Sequence, residues 1–259
     1  MVDRSVATIR RSHLIKLANE GKRLDGRRMD MMRDLEIYSD VISDYDGSAR
    51  IRLGGTELIA AIHIEKGRPY PNLPESGTMH TTLQMHPMAS PRFGKEDMAT
   101  ESVEISRVID RGIRNSGAID MDSLVITPGE EVWSLFVDIL VIDFDGNLFD
   151  SSHMALIKAL ETTPLPFSRY DMGENKRIPI QGIPISTTFV KLGGKIMYDP
   201  TALEERVADA RITLVIDDDS HLRSLQKGGR GVFNTEEIME TFKRSTGAAS
   251  ELRRALLNN

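Results

Sequence analysis

Arg107, Arg111 and Arg114 lie in a stretch whose isoleucines and valines predict a helix from about Thr100 to Ser116. At about 100° per residue the three arginines fall within about 60° of one another. Ile105, Val108, Ile109 and Ile113 centre on the opposite side. One face is built for burial, and the other presents guanidinium groups in a row. Guanidinium forks match phosphate oxygens and stay charged at any working pH. Successive turns are about 5.4 Å apart, close to the phosphate spacing along a single strand. The competing arrangement is a solvated face paired within itself, Glu104 with Arg107 and Asp110 with Arg114. Surface pairs contribute only about 0–1 kcal/mol, so phosphate could still displace them.

Other polar groups suggest less chemistry. Asp143, Asp145 and Asp150 superficially resemble a calcium loop, but the glycine comes fourth and Met154 stands where the closing glutamate belongs. A hairpin turn is expected there, and a solvated turn at Asp217-Asp218-Asp219. Asp138 sits inside a very apolar strand, where an unpaired carboxylate is costly, so a buried partner is expected. Histidines 13, 63, 80, 86, 153 and 221 form neither HExxH nor HxH, so no metal site is expected. Gly228-Gly229-Arg230-Gly231 lacks the Lys-Ser/Thr of a nucleotide P-loop and reads as a turn that could bring Arg230 near a phosphate. With one Trp and 5% aromatics, base-stacking platforms are sparse.

These side chains need a scaffold. The 259 residues suffice for one large domain or two smaller ones, and 40% apolar with 28% charged is an ordinary globular balance. The 33 basic against 39 acidic residues leave a charge of −6, which argues against a wholly basic nucleic-acid coat but not against a local basic groove. Absence of cysteine excludes disulfides, Cys-ligated zinc, iron–sulfur clusters and thiol catalysis. No apolar run of about 18 residues occurs, and residues 1–11 lack a basic segment followed by an apolar one; a soluble intracellular chain is expected.

Residues 1–20 read as a helix through Val6, Ile9, Leu14, Leu17 and Ala18, stopped by Gly21. Strands are expected at 36–42, 49–53, 57–65 and 78–85, then a loop from Pro87 to Asp97 leading to the arginine helix. The segment 132–144 is apolar on both strand faces, with Trp133, Leu135, Val137, Ile139 and Val141 on one and Val132, Phe136, Leu140 and Ile142 on the other. That pattern predicts a sheet covered on both sides. A helix follows at 151–161, then a four-proline segment at 163–184. Hairpins flank Gly193-Gly194 and Asp217–Asp219, and a last helix runs from 235 to 257. The order predicts an α+β chain of two lobes.

Arg23-Leu24-Asp25-Gly26-Arg27, Asp46-Gly47-Ser48-Ala49, Leu53-Gly54-Gly55-Thr56, Pro87-Met88-Ala89-Ser90-Pro91, the helix 107–114 and Asp143–Asp150 occur in an ordered series. Together they resemble the RNase PH family of phosphorolytic exoribonucleases over about residues 23 to 250, most closely its non-catalytic archaeal exosome branch. The resemblance implies an RNase PH fold: an N-terminal helix (1–22), a first domain (23–165), a linker (166–184) and a second domain (185–259).

Departures from the family bear on activity. Catalytic members carry a Gly-Gly-Ser/Thr-Arg type turn that supplies donors to phosphate; here the turn reads Gly146-Asn147-Leu148-Phe149, without a cation. Catalytic members also carry two carboxylates about six residues apart. Asp209 matches the second, and Leu203 stands in place of the first. The resemblance therefore implies a chain with no catalytic residues, no metal and no cofactor. It would bind single-stranded RNA through Arg107, Arg111 and Arg114 beside a catalytic sister, where inorganic phosphate is the substrate. The expected assembly is a cytoplasmic trimer of heterodimers with RNA-binding cap proteins and no membrane. The alternatives are an active phosphorolytic nuclease using Asp209, and a scaffold whose arginines bind a partner's carboxylates.

Overall fold

A computed structural model describes residues 2–94 and 98–258. The first sheet is assembled from β1 (Leu35–Ser39), β2 (Gly47–Leu53), β3 (Thr56–Gly67), β4 (Thr78–Met85), β5 (Val125–Thr127) and β6 (Glu131–Asp143). Its order is β1-β2-β3-β6-β4, with β5 also on β6 and only β4 running parallel to its neighbour. A small ribbon pairs β7 (Pro164–Leu165) with β8 (Lys176–Arg177). The second sheet, ordered β10-β9-β11-β12, contains β9 (Ile185–Leu192), β10 (Lys195–Tyr198), β11 (Ala210–Ile216) and β12 (Leu222–Gly229), all antiparallel. The helices are α1 (Val2–Asn19), α2 (Met98–Ser116), α3 (Leu148–Thr162), α4 (Ala202–Val207) and α5 (Thr235–Leu257).

The layers are α+β. Helices α2 and α3 lie between the two sheets, α2 against β4 and β12, α3 against β2, β3 and β9; α5 packs on β9 and β11. Alternation along β9 separates those neighbours: Ser186 and Thr188 meet Asp150 of α3, while Thr187 meets Ser245 of α5. Residues 148–160 of α3 are all buried. Such a helix needs no polar stripe, which is why it carries Leu, Met, Ala and Ile around its circumference. One hydrophobic cluster runs through both sheets, from Ile51 and Leu135 to Phe189 and Leu214.

The expectation of a sheet covered on both faces is corrected. Trp133, Leu135, Val137, Ile139 and Val141 are buried, and of the other face Val132 is buried as expected, but Phe136 is 38% exposed, and Leu140 and Ile142 are half-buried. Asp138 lies on that open face, half-buried rather than buried, and accepts the Thr82 hydroxyl at 2.5 Å. The Asp143–Asp150 segment is not a hairpin turn but a strand-to-helix corner, and α3 begins three residues before its predicted start. The proline-rich segment is folded onto the first sheet, where Phe167 and Tyr170 pack against Trp133 at 5.3 and 5.4 Å.

Leu14 and Ala18 of α1 are buried, Leu14 in a cluster with Val190, Leu192, Met197 and Val207. The side chains of Val6 and Ile9 lie outside the described residues, as does the end of the predicted 87–97 loop.

Candidate nucleic-acid interface

Helix α2 begins with Glu101 in its first turn and stops at Gly117, whose φ of 68° is the left-handed value that glycine adopts without strain. Ile105, Val108, Ile109 and Ile113 are buried, which turns Arg107 and Arg111 outward to solvent. The Arg107 side chain has no hydrogen bond or ion pair among the described residues. Arg111 donates Nε to Ser224 Oγ at 3.2 Å and Nη2 to Gln226 Oε1 at 2.9 Å, both on β12. Its partners are neutral, so its charge is uncompensated.

Arg114 differs. It is half-buried, donates Nε to Asp110 at 2.8 Å and reaches the Met79 carbonyl of β4 with Nη2 at 2.5 Å. The Asp110–Arg114 pair expected from spacing forms, while Glu104 does not take Arg107. Glu104 instead accepts Arg211 Nη2 at 3.0 Å and Gln226 Nε2 at 3.3 Å. Two guanidiniums of the row thus project from the helix, and the third braces it to the sheet.

The corner before α3 is where a phosphate cradle would be expected. Gly146 has φ 88°, and a Cβ there would lie 2.4 Å from the Ala202 nitrogen, so only glycine fits. Asn147 adopts a left-handed conformation (φ 56°) and gives its side-chain amide to Asp150 at 2.9 Å and Asp199 at 2.8 Å. Leu148 and Phe149 are buried. The Asn147 N–H, at the head of the helix, already donates to Glu205 Oε1 at 3.0 Å. Burial pushes the Glu205 carboxyl up to about 7, against the pull of that N–H and of Arg211. A carboxylate of the chain itself therefore sits where an external anion would dock. The Arg211 guanidinium lies over the Phe149 ring at 4.1 Å and pairs with Glu104.

Asp209 has both oxygens engaged, Oδ1 by Arg11 at 2.5 Å and Oδ2 by the Gly193 N–H at 2.9 Å. Leu203 packs beside the Leu14–Val190 cluster. Arg230 is exposed just beyond β12. Asp217, expected to be solvated, is buried instead. Burial opposes its charge, but the His221 N–H and the Arg223 guanidinium hold the carboxyl below its usual range.

Several organising residues escaped sequence reasoning. Arg23 is buried and forms a bidentate pair with Glu204 (2.9 and 2.5 Å) while donating to the carbonyls of Tyr198 and Asp199. Arg33 holds the Asp199 carboxylate, and that guanidinium keeps Asp199 below the ordinary carboxylate range despite burial. Asp150 accepts from Ser186 and Thr188, yet burial pushes it up to about 6. The only sequence signal for this network was the Arg-Leu-Asp-Gly-Arg series. Its partners lie far along the chain.

Comparison with known proteins places this geometry. Residues 31–166 match the family described as 3′ exoribonuclease family, domain 1, and residues 182–247 match its domain 2. The exosome complex component Rrp42 of Thermococcus gammatolerans is 40% identical, over 97% of this chain and 95% of its own. The protein of the same name from Methanocella arvoryzae is 37% identical, over 97% and 96%. Among solved structures, a chain of the Archaeoglobus fulgidus exosome with RNA bound to the active site superposes with a TM-score of 0.92 at 36% identity, covering 96% of this chain and 98% of that one. A chain of an archaeal exosome core gives 0.90 at 34% identity, with 99% coverage of both. With both domains present in order and relatives matched nearly end to end, the chain belongs to the 3′ exoribonuclease, or RNase PH, family.

Proposed function

We propose that this chain is a non-catalytic subunit of a cytoplasmic archaeal exosome that degrades RNA from the 3′ end by phosphorolysis. In that reaction a phosphate oxygen forms a bond to the phosphorus of the terminal phosphodiester. The bond to the penultimate 3′ oxygen breaks, that oxygen takes a proton, and a nucleoside diphosphate leaves. The chain's share is to hold the RNA backbone in register with a sister chain's catalytic groups, in a ring of three heterodimers that binds RNA-recognising cap proteins. Among the described residues no helix is long and apolar enough to cross a membrane.

The observation that carries this reading is the contrast between two helix faces. On α2, Arg107 and Arg111 are solvent-facing, and among the described residues neither is paired with a carboxylate. At the head of α3, the place for inorganic phosphate is taken by Glu205, and the side chains that follow Asn147 are apolar and buried. Arg114 supports the row from behind.

The test is to co-express the chain with a catalytic sister and supply RNA and inorganic phosphate. Nucleoside diphosphates should appear only when both chains are present, and Arg107→Ala with Arg111→Ala should slow their release. Release by the isolated chain, abolished by Asp209→Asn, would end the non-catalytic reading.

A further inference from the structure

Helix α1 packs outside the main core. Its Leu14 meets Val190 and Leu192 of β9, Met197 of β10 and Val207 of α4, with Ile15 and Leu203 at the margin. None of these side chains belongs to the hydrophobic cluster that runs through both sheets. By alternation, Val190 and Leu192 continue the face of β9 that Ser186 and Thr188 turn toward α3. Among the described residues α1 has one ion pair, Arg11 Nη2 with Asp209 Oδ1 at 2.5 Å, between side chains 46% and 31% exposed. The other Asp209 oxygen takes the Gly193 N–H of the β9–β10 turn at 2.9 Å. Ile15 closes over the same turn, where a Cβ on Gly193 would stand 2.8 Å from Ile15 Cγ2. Asp209 therefore joins α1 to the tip of that hairpin.

The seat under α1 is fixed by contacts that α1 does not supply. Helix α4 is held by the bidentate pair of Glu204 with buried Arg23, by the capping box at Thr201, and by the Ala202 N–H on the Asp145 carbonyl at 3.0 Å. Strands β9 and β10 pair from Phe189 with Tyr198 to Leu192 with Lys195. Arg23 also anchors the chain beyond the helix, on the carbonyls of Tyr198 and Asp199. Residues 20–22 alone separate that anchor from the end of α1 at Asn19. An exposed ion pair is weak and is screened by salt. An element with few buried apolar contacts opens at a lower cost than the whole fold.

We propose that α1 is a strap that opens and closes on this seat while the rest of the chain stays folded, latched by Arg11 on Asp209. The carboxylate that matches one of the family's acids thereby serves to position a helix. Release pivots on residues 20–22. It bares an apolar groove of Val190, Leu192, Met197 and Val207, edged by the Asp209 carboxylate. Salt favours the open strap, because it screens the latch and leaves the buried anchor at Arg23 in place. The device needs neither RNA nor a sister chain, so it stands or falls apart from the function proposed above.

Hydrogen–deuterium exchange of the whole chain, read by mass spectrometry, tests the strap. Corrected for intrinsic rates, the amides of α1 from Leu14 to Asn19 should exchange at least about tenfold faster than those of α3 and β6. Asp209→Asn keeps an oxygen for the Gly193 N–H and should speed α1 by about two- to fivefold, the range of an exposed pair. Arg11→Gln should do the same. The double variant should be no faster than either single one, as for two ends of one contact. About 1 M salt should bring the unmodified chain to the same rate. Exchange in α3 and β6 should not change, and circular dichroism reports the folding of each variant. Protection of α1 equal to that of α3 and β6 would show that it opens only with the whole molecule and would overturn the strap. Unchanged or additive rates in the variants, or no response to salt, would overturn the latch.

Discussion

Gln226 accepts a hydrogen bond from the Arg111 guanidinium at 2.9 Å while giving its own N–H to Glu104 at 3.3 Å. Only one orientation of the amide satisfies both neighbours, oxygen toward the cation and nitrogen toward the carboxylate. The amide aims Arg111 without neutralising it, and Glu104 is drawn off to Arg211. Replacing Gln226 by Glu would turn that neutral rest into an ion pair. The expected outcome is weaker binding of single-stranded RNA by the assembled complex and a salt slope reduced by about 0.7, one phosphate contact. Fluorescence anisotropy over a salt series measures it, and an unaltered slope would contradict the orienting role.

The arginines themselves separate by assay. Arg107→Ala with Arg111→Ala should reduce the slope of log affinity against log salt by about 1.4, two contacts at about 0.7 each. Arg114→Ala should leave the slope in place and lower thermal stability, because its Nε and Nη2 hold Asp110 and the Met79 carbonyl and turn the guanidinium toward β4. A slope change in the Arg114 variant equal to that of Arg111→Ala would mean that all three reach phosphate.

Arg23 and Glu204 have side chains 0% and 3% exposed. Removing one partner strands the other charge in the interior, so Glu204→Ala should cost about 3–5 kcal/mol in urea unfolding. Arg23→Lys should rescue little, since an ammonium cannot span two carboxylate oxygens and two carbonyls at once. Near-normal stability of either variant would show the pair to be incidental.

Burial pushes His153 down to about 4 from an ordinary 6.5, and neither ring nitrogen has a hydrogen-bond partner among the described residues. The unfolded chain takes up the proton first, so this group's contribution to stability is fully present above pH 6.5. It is lost as pH falls through 4, by about 3 kcal/mol in all. Asp150 and Glu205, pushed up by burial, act in the opposite sense across an overlapping range. The comparison must therefore be made against His153→Leu. That variant should match the parent in stability near pH 7 and exceed it increasingly below pH 6. Parallel pH–stability curves would show that the histidine keeps its ordinary affinity for protons.

Much of the architecture was legible because it is local. The bounds of β4 and α5 follow directly from alternation and from the helical period, and those of β6 to within a residue. The start of α3 was hidden because Asn147 enters the helix from a left-handed conformation that Asp-Gly-Asn reads as a turn. The open face was hidden for another reason. Phe136 and Leu140 advertise burial, but apolar spacing is the same whether or not a helix of this chain lies on top. Within the arginine row the helical wheel placed all three side chains correctly relative to α2. It could not know that Met79 stands within reach of Arg114, or that β12 brings Ser224 and Gln226 to Arg111. Those contacts are products of topology.

Helix α3 has no side that faces water from residue 148 to 160, and its two walls are supplied by opposite halves of the polypeptide. During synthesis the first wall is ready when α3 emerges, while the second awaits β9 to β12. Until then the nascent chain displays a bare greasy flank with Asp150 and His153 unsheltered. Expressing the N-terminal half alone should yield an insoluble fragment.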